Sequence, residues 1–155
     1  MRIFYGLTKA IKDSLESNSV TNTVTFGDIT QVDLNKQSIF PLAHLIVNSA
    51  SLNGSTVSLD MSIILCDIVD YSQENVKDQP EPFYGHDNTQ DILDTQLYVA
   101  NLLAQELTRG NLWDEYYQVE SAPTLEPFLD RFENVLAGWV LNVSINVRNT
   151  DLSIC

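Results

Sequence analysis

Two long apolar runs, Phe40 to Leu52 and Thr56 to Val69, flank the dipeptide Asn53-Gly54. Asn-Gly is favoured in type I′ turns, where both central residues need positive φ, so the two runs are predicted to fold back on each other as a hairpin. In the second run Val57, Leu59, Met61, Ile63 and Leu65 share one face, and Thr56, Ser58, Asp60 and Ser62 share the other. That alternation describes a strand with one face buried and one wet. Further along, Ile64, Cys66 and Ile68 make both faces apolar, so the strand is expected to enter a covered region at its far end. Both runs exceed the usual strand of about five or six residues, and Ser49, Ser51, Ser55 and Ser58 lie near the turn. The tip is therefore expected to project and to be free to pair with a neighbouring subunit.

The remaining pattern supplies helices to cover such a sheet. Ile3, Phe4, Leu7, Ala10, Ile11 and Leu15 recur at three- and four-residue steps, with Lys9, Lys12, Asp13 and Glu16 between them, predicting a first amphipathic helix. Thr21 to Phe26 alternates as a strand, with Val24 and Phe26 on one face and Gly27-Asp28 closing it. A polar stretch from Thr30 to Ser38 follows. Residues 70–87 contain Pro80, Pro82, Gly85 and many acids, and read as a long projecting loop. Asn88 or Thr89 is suited to cap a second helix that has Asp91 in its first turn, Arg109 in its last and Gly110 after it. Its predicted stripe is Ile92, Leu93, Leu97, Ala100, Leu103, Ala104 and Leu107, widened by Val99 and Leu102. Tyr116 to Glu120 fits a short strand, and Pro123 to Glu133, with two prolines, fits a turn or strand bend. Trp139 to Val147 alternates as a final half-exposed strand. The order predicts one α+β domain over residues 1–150, an antiparallel sheet with a long hairpin packed against two amphipathic helices on one face, followed by a tail at 151–155.

Charge narrows the partners. The chain carries 21 acids against 8 bases, a net charge of −13, and its bases are scattered, so no basic patch is available for nucleic-acid phosphates. No apolar run approaches the roughly 20 residues that span a bilayer, and no cleaved signal is expected, since Lys9 and Lys12 break the N-terminal pattern. Cys66 in a strand and Cys155 in the tail do not suggest a disulfide framework or a zinc site.

Few residues of the chain are able to supply chemistry. The histidines are His44, on a strand, and His86, in the acidic loop. A Cys66–His44 pair is geometrically conceivable but is weighed well below a buried thiol beside a satisfied histidine. Asp67 and Asp70, or Asp87, Asp91 and Asp94 with Glu81, are candidate carboxylate clusters for a divalent cation, weighed against a solvated loop and helix first turn. A calcium loop starting at Asp87 would put Ile92 where glycine is needed and Tyr98 where glutamate is needed, so that template fails. The glycines are isolated and form no phosphate cradle. No cofactor is expected. Phe83, Tyr84, Trp113, Tyr116 and Tyr117 fall in or beside predicted loops, where they would either anchor a partner or close over the core.

The element order, together with the stretch Phe128-Leu129-Asp130-Arg131-Phe132-Glu133-Asn134-Val135-Leu136-Ala137-Gly138-Trp139, resembles neck and tail-terminator-like proteins of tailed bacteriophages, crAss-like phages among them. The resemblance implies a non-enzymatic virion protein, assembled in the host cytoplasm. It would form a multi-copy ring at the head-to-tail junction, contacting the portal and neighbouring neck or tail proteins while DNA passes without sequence-specific binding. The subunit-interface candidates on this reading are Asn53, Gly54, Phe83, Tyr84, Trp113, Tyr116, Tyr117 and Arg148. Two other classes compete: a small soluble acidic binding module or DNA-mimicking inhibitor, and a metal-dependent enzyme using the acidic loop.

Overall fold

The computed structural model describes residues 3–29, 32, 37–69, 88–110, 112, 117–131 and 135–148. Helix α1 spans Ile3–Glu16 and strand β1 Thr23–Phe26; a short 3-10 turn at Gln37–Ile39 leads into β2, Leu42–Leu52. Strand β3 is Thr56–Ile68, helix α2 Thr89–Arg109, and strands β4, β5 and β6 are Tyr117–Val119, Thr124–Arg131 and Leu136–Arg148. The six strands form one sheet, and α+β is the class. The expected acidic loop at 70–87 and the tail at 151–155 lie outside the described residues.

The hairpin is long, with strands of 11 and 13 residues. Its turn differs by one residue from the expected one. Leu52 pairs with Val57, and the Asn53 N–H donates to the Thr56 carbonyl at 2.9 Å, so the two-residue loop is Gly54-Ser55. Gly54 has φ of +75°, the positive φ required at the first central position of both type I′ and type II′ turns. Because the register moves by two in the sum of paired positions, the residues sharing each face are unchanged.

The alternation read from β3 is realised in three dimensions. Val57, Leu59, Met61, Ile63 and Leu65 point to the face covered by the helices, where they meet Leu141, Val143, Ile145 and Val147 of β6. Leu7, Ile11 and Leu15 of α1 and Val99, Ala100, Leu103 and Leu107 of α2 close this main core. On the opposite face a second cluster buries Leu42, Cys66 and Leu136 beneath Phe40 and Phe128. This cluster is the covered region that Ile64, Cys66 and Ile68 predict.

Several expectations need correction. The sheet is mixed, because β1 pairs with β2 in parallel, Thr23 opposite Leu42 and Phe26 opposite Leu45. The α2 stripe rotates from the predicted one: Gln96 is 2% exposed, whereas Leu97 is 39% exposed. Likewise Phe4 of the α1 stripe is 39% exposed. Asn88 stands at the N-cap of α2 without a side-chain cap bond; its Nδ2 reaches the Ile68 carbonyl at 3.5 Å. Gly110 is extended, with φ −101° and ψ −151°, so no left-handed cap forms, and the Glu106 carbonyl instead accepts from the Leu112 N–H at 3.1 Å.

Within the stretch Pro123 to Glu133, Thr124–Arg131 is strand, and Phe132 and Glu133 lie outside the described residues. β4 and β5 occupy the outer edge of β6 one after the other, Val119 opposite Ile145 and Thr124 opposite Asn142, with residues 120–123 bulging between them. Pro127 is tolerated because β5 is an edge strand, where a missing N–H leaves no ladder bond unmade. Phe128 sits opposite Gly138. A Cβ on Gly138 would stand 1.9 Å from the Leu65 carbonyl oxygen, so glycine permits the close approach of β6 to β3 at this point.

Candidate functional site

Among the described residues, the hairpin arm leaves one edge of the sheet without a partner strand. β1 covers β2 only from Leu42 to Leu45, and the Gly27 N–H to Leu45 carbonyl bond, 3.0 Å, ends that coverage. Beyond it, among the described residues, no strand pairs with the outer side of β2 from Ile46 to Leu52. Asn48 to Leu52 are exposed, Leu52 at 79%. A β-bulge lies between Val47 and Ser49. It inserts Asn48 as an extra residue and exchanges the faces on which later side chains lie.

The face of the arm turned away from the helices is a ladder of small polar groups. Asn48 Nδ2 donates to Ser62 Oγ at 2.8 Å, and Ser62 Oγ donates to Asn142 Oδ1 at 2.7 Å. Ser58 donates to Asn146, and Ser144 to Glu120 at 3.1 Å. Asp60 accepts from Ser49 at 2.8 Å, and the Ser144 hydroxyl, whose one proton is shared between Asp60 and Glu120, and the Ser49 hydroxyl hold its carboxyl below the usual range by favouring the charged form. Cross-strand bonds of this kind stiffen the arm without an apolar partner on that face.

Of the sequence-predicted interface residues, three gather at one end of the sheet. Asn53 and Gly54 form the tip, and Arg148 ends β6 opposite Thr56. Tyr117, on β4, pairs with Val147 and packs against the main core, its hydroxyl 2.9 Å from where a Cβ on Gly6 would lie. Phe83, Tyr84, Trp113 and Tyr116 lie outside the described residues.

The sequence reading missed a second surface. Phe4, Tyr5 and Phe26 are 39%, 66% and 54% exposed, and the Phe4 and Phe26 rings meet edge to face at 5.6 Å. They line a groove of about 520 Å³ with Thr8, Lys9 and Lys12. Its sequence signal was the adjacent Phe4-Tyr5, two large rings about 100° apart on one helix, which widen the apolar side of α1 beyond the stripe of Leu7, Ile11 and Leu15.

The candidate chemical groups are engaged elsewhere. His44 is fully buried, with Nε2 2.7 Å from the Gly27 carbonyl and Nδ1 2.6 Å from Thr25 Oγ1. A carbonyl can only accept, so Nε2 carries the proton and Nδ1 accepts from the threonine hydroxyl. Burial lowers the His44 pKa, opposed by the Gly27 carbonyl and by Asp28. Cys66 pairs in register with Leu42, and burial, with the nearby Asp67 charge, pushes its thiol up to about 12. These two residues therefore do not make a nucleophile–base pair. Burial also raises the Asp67 pKa, opposed by a bond from the Ile68 N–H at 2.8 Å. Among the described residues, no three His, Cys, Asp or Glu side chains are grouped as metal ligands, and no helix is long and apolar enough to cross a membrane.

No protein-family model matches the sequence, and no curated protein matches it either.

Proposed function

We propose that this chain is a virion structural protein, one subunit of a multi-copy ring at the head-to-tail junction of a tailed bacteriophage, surrounding the channel through which DNA passes. The edge of the hairpin arm that no strand among the described residues covers carries this reading. A sheet edge that presents unpaired N–H and C=O groups is a template for another chain, and natural proteins blunt such edges with charge, proline or cover unless they use them. Ile46-Val47-Asn48-Ser49-Ala50-Ser51-Leu52 has no charge and no proline, and its bulge at Asn48 leaves Ser49 to Leu52 as the regular stretch of that edge. The likeness in layout to neck and tail-terminator-like proteins, and the stretch Phe128 to Trp139, support the same reading.

Charge is consistent with it. A subunit of net charge −13 repeated around a ring repels DNA and offers no phosphate-binding patch, so the polymer slides past. The protein acts in this reading by shape and assembly, contacting the portal and adjacent neck or tail proteins, with no catalytic step and no cofactor.

Averaged images of intact particles test the proposal. They are expected to show this protein as symmetric density around the channel between portal and tail. A chain that stays monomeric with portal and tail components present, together with particles that keep their tails without it, overturns the reading in favour of a small acidic binding module.

A further inference from the structure

We propose that the outer edge of β1, with the aromatic groove beside it, takes an extended segment of another protein as an added strand, one with large apolar side chains at every second position and carboxylates between them. This surface is separate from the β2 edge, and the contact does not depend on whether the chain forms a ring.

The main chain of β1 supplies one half of the site. β1 stands at the end of the strand order, and among the described residues no strand pairs with its outer side. Its register with β2 runs from Thr23 to Phe26 without a shift, and Thr23-Val24-Thr25-Phe26 has no charge and no proline to blunt the edge. The Thr23 N–H donates to the Pro41 carbonyl at 3.3 Å and the Gly27 N–H to the Leu45 carbonyl at 3.0 Å. Successive residues of a strand turn their N–H and C=O groups to opposite sides, so those of Val24 and Phe26 point away from β2. An added strand would bond to these groups.

The groove supplies the other half. It runs between α1 and β1, with Phe4, Tyr5, Val24 and Phe26 among its walls and Lys9 and Lys12 on the α1 side. A strand laid along β1 would turn every second side chain to the face that carries Val24 and Phe26, and so toward these rings. Large apolar side chains at those positions would cover the exposed aromatic surface.

Charge selects the partner. Residues 1–12 hold three of the eight bases, Arg2, Lys9 and Lys12, and none of the 21 acids. The groove thus presents positive charge on a molecule of net charge −13. Lys9 and Lys12 pair with Asp13 at 2.9 Å and Glu16 at 3.4 Å, but these ion pairs are exposed and contribute little, so a partner's carboxylate can share either ammonium. A long phosphate polymer is repelled by the rest of the acidic surface, whereas a short acidic segment meets only the groove. The same edge of a second copy would bring its own lysines against these, which disfavours pairing of β1 with β1.

Fluorescence anisotropy of a labelled synthetic peptide, Glu-Phe-Glu-Val-Glu-Ile-Glu, titrated with the full chain, tests this together with amide hydrogen exchange. The peptide is expected to bind, to slow exchange of the Val24 and Phe26 amides about tenfold or more, and to bind the Lys9→Gln/Lys12→Gln variant about tenfold or more weakly. Both lysines are exposed, so the variant should keep the wild-type melting temperature, and exchange in the wild type decides the site even where the variant is unstable. The same peptide with lysine in place of glutamate should not bind. Equal binding of the acidic and basic peptides, or of a folded variant and the wild type, overturns the inference. So does an oligothymidine that binds in the peptide's place, and so does anisotropy that stays flat up to about 1 mM protein. Slow exchange of the Val24 and Phe26 amides in the dilute free chain means that the edge is covered within its own copy, and slowing that follows protein concentration without peptide means that a second copy covers it; either overturns the inference as well.

Discussion

The indole N–H of Trp139, on β6, donates to the main-chain carbonyl of Leu93, on α2, at 2.8 Å. This single bond ties the first half of the long helix to the central strand. Trp139→Phe keeps most of the apolar contact and removes the donor, so it is expected to cost about 1 kcal/mol. Urea unfolding would show a lower midpoint with an unchanged slope; an unchanged midpoint would mean that the bond contributes nothing.

Gly138 is expected to be the least replaceable residue of β6. A methyl there would overlap the Leu65 carbonyl oxygen, which belongs to the sheet backbone and cannot move aside as a side chain could. Gly138→Ala should cost about 3 kcal/mol or more. Thermal unfolding of the variant, or its failure to accumulate in soluble form, measures this.

The hairpin tip makes a milder demand. Gly54→Ala forces a left-handed conformation on a residue with a Cβ, at a cost of about 1 kcal/mol, and Gly54→Asn should lose less. Nothing lies within 4 Å of the added Cβ, so the loss is one of backbone conformation and not of packing. Equal midpoints for wild type and Gly54→Ala would show that the turn adopts another geometry.

His44 should make stability fall in mild acid. Its folded pKa lies below the unfolded value near 6.5, so just below that pH the unfolded chain takes up a proton that the folded chain refuses. The contribution is full above about pH 6.5 and is lost as pH falls through the folded pKa. Urea midpoints between pH 8 and pH 5 should drop more steeply for the wild type than for His44→Gln. Parallel slopes would remove His44 from the account.

Asp67 has the opposite sign. Its folded pKa lies above the unfolded value of 3.8, so its favourable contribution exists below that pH and is lost as pH rises through the folded pKa. At pH 7 the half-buried carboxylate opposes folding. Asp67→Asn preserves the acceptor for the Ile68 N–H and removes the charge, and should raise the melting temperature at pH 7 more than at pH 4. The reverse ranking would show that the ionised form is stabilised by a partner.

The sequence by itself determined the elements that depend on neighbours along the chain. Period two in Val57 to Leu65 and in Leu141 to Val147, the three-and-four spacing of Leu7, Ile11 and Leu15, and a glycine between two apolar runs specify strand, helix and turn through backbone geometry alone. The projecting tip, with Asn53 and Gly54, was legible for the same reason. The tertiary structure decided what depends on residues remote in sequence: the parallel docking of β1, the bulge at Asn48, the exchange of Gln96 for Leu97 in the buried face of α2, and the burial that lowers the His44 pKa. It also decided that, among the described residues, no strand covers β2 from Ile46 onward, because an edge exists only once strand order is fixed and β1 stops at Phe26, opposite Leu45. A strand's own residues state which side chains face in or out; which of its N–H and C=O groups stay unpaired depends on the lengths and order of other strands, and those are set by packing across the whole sheet.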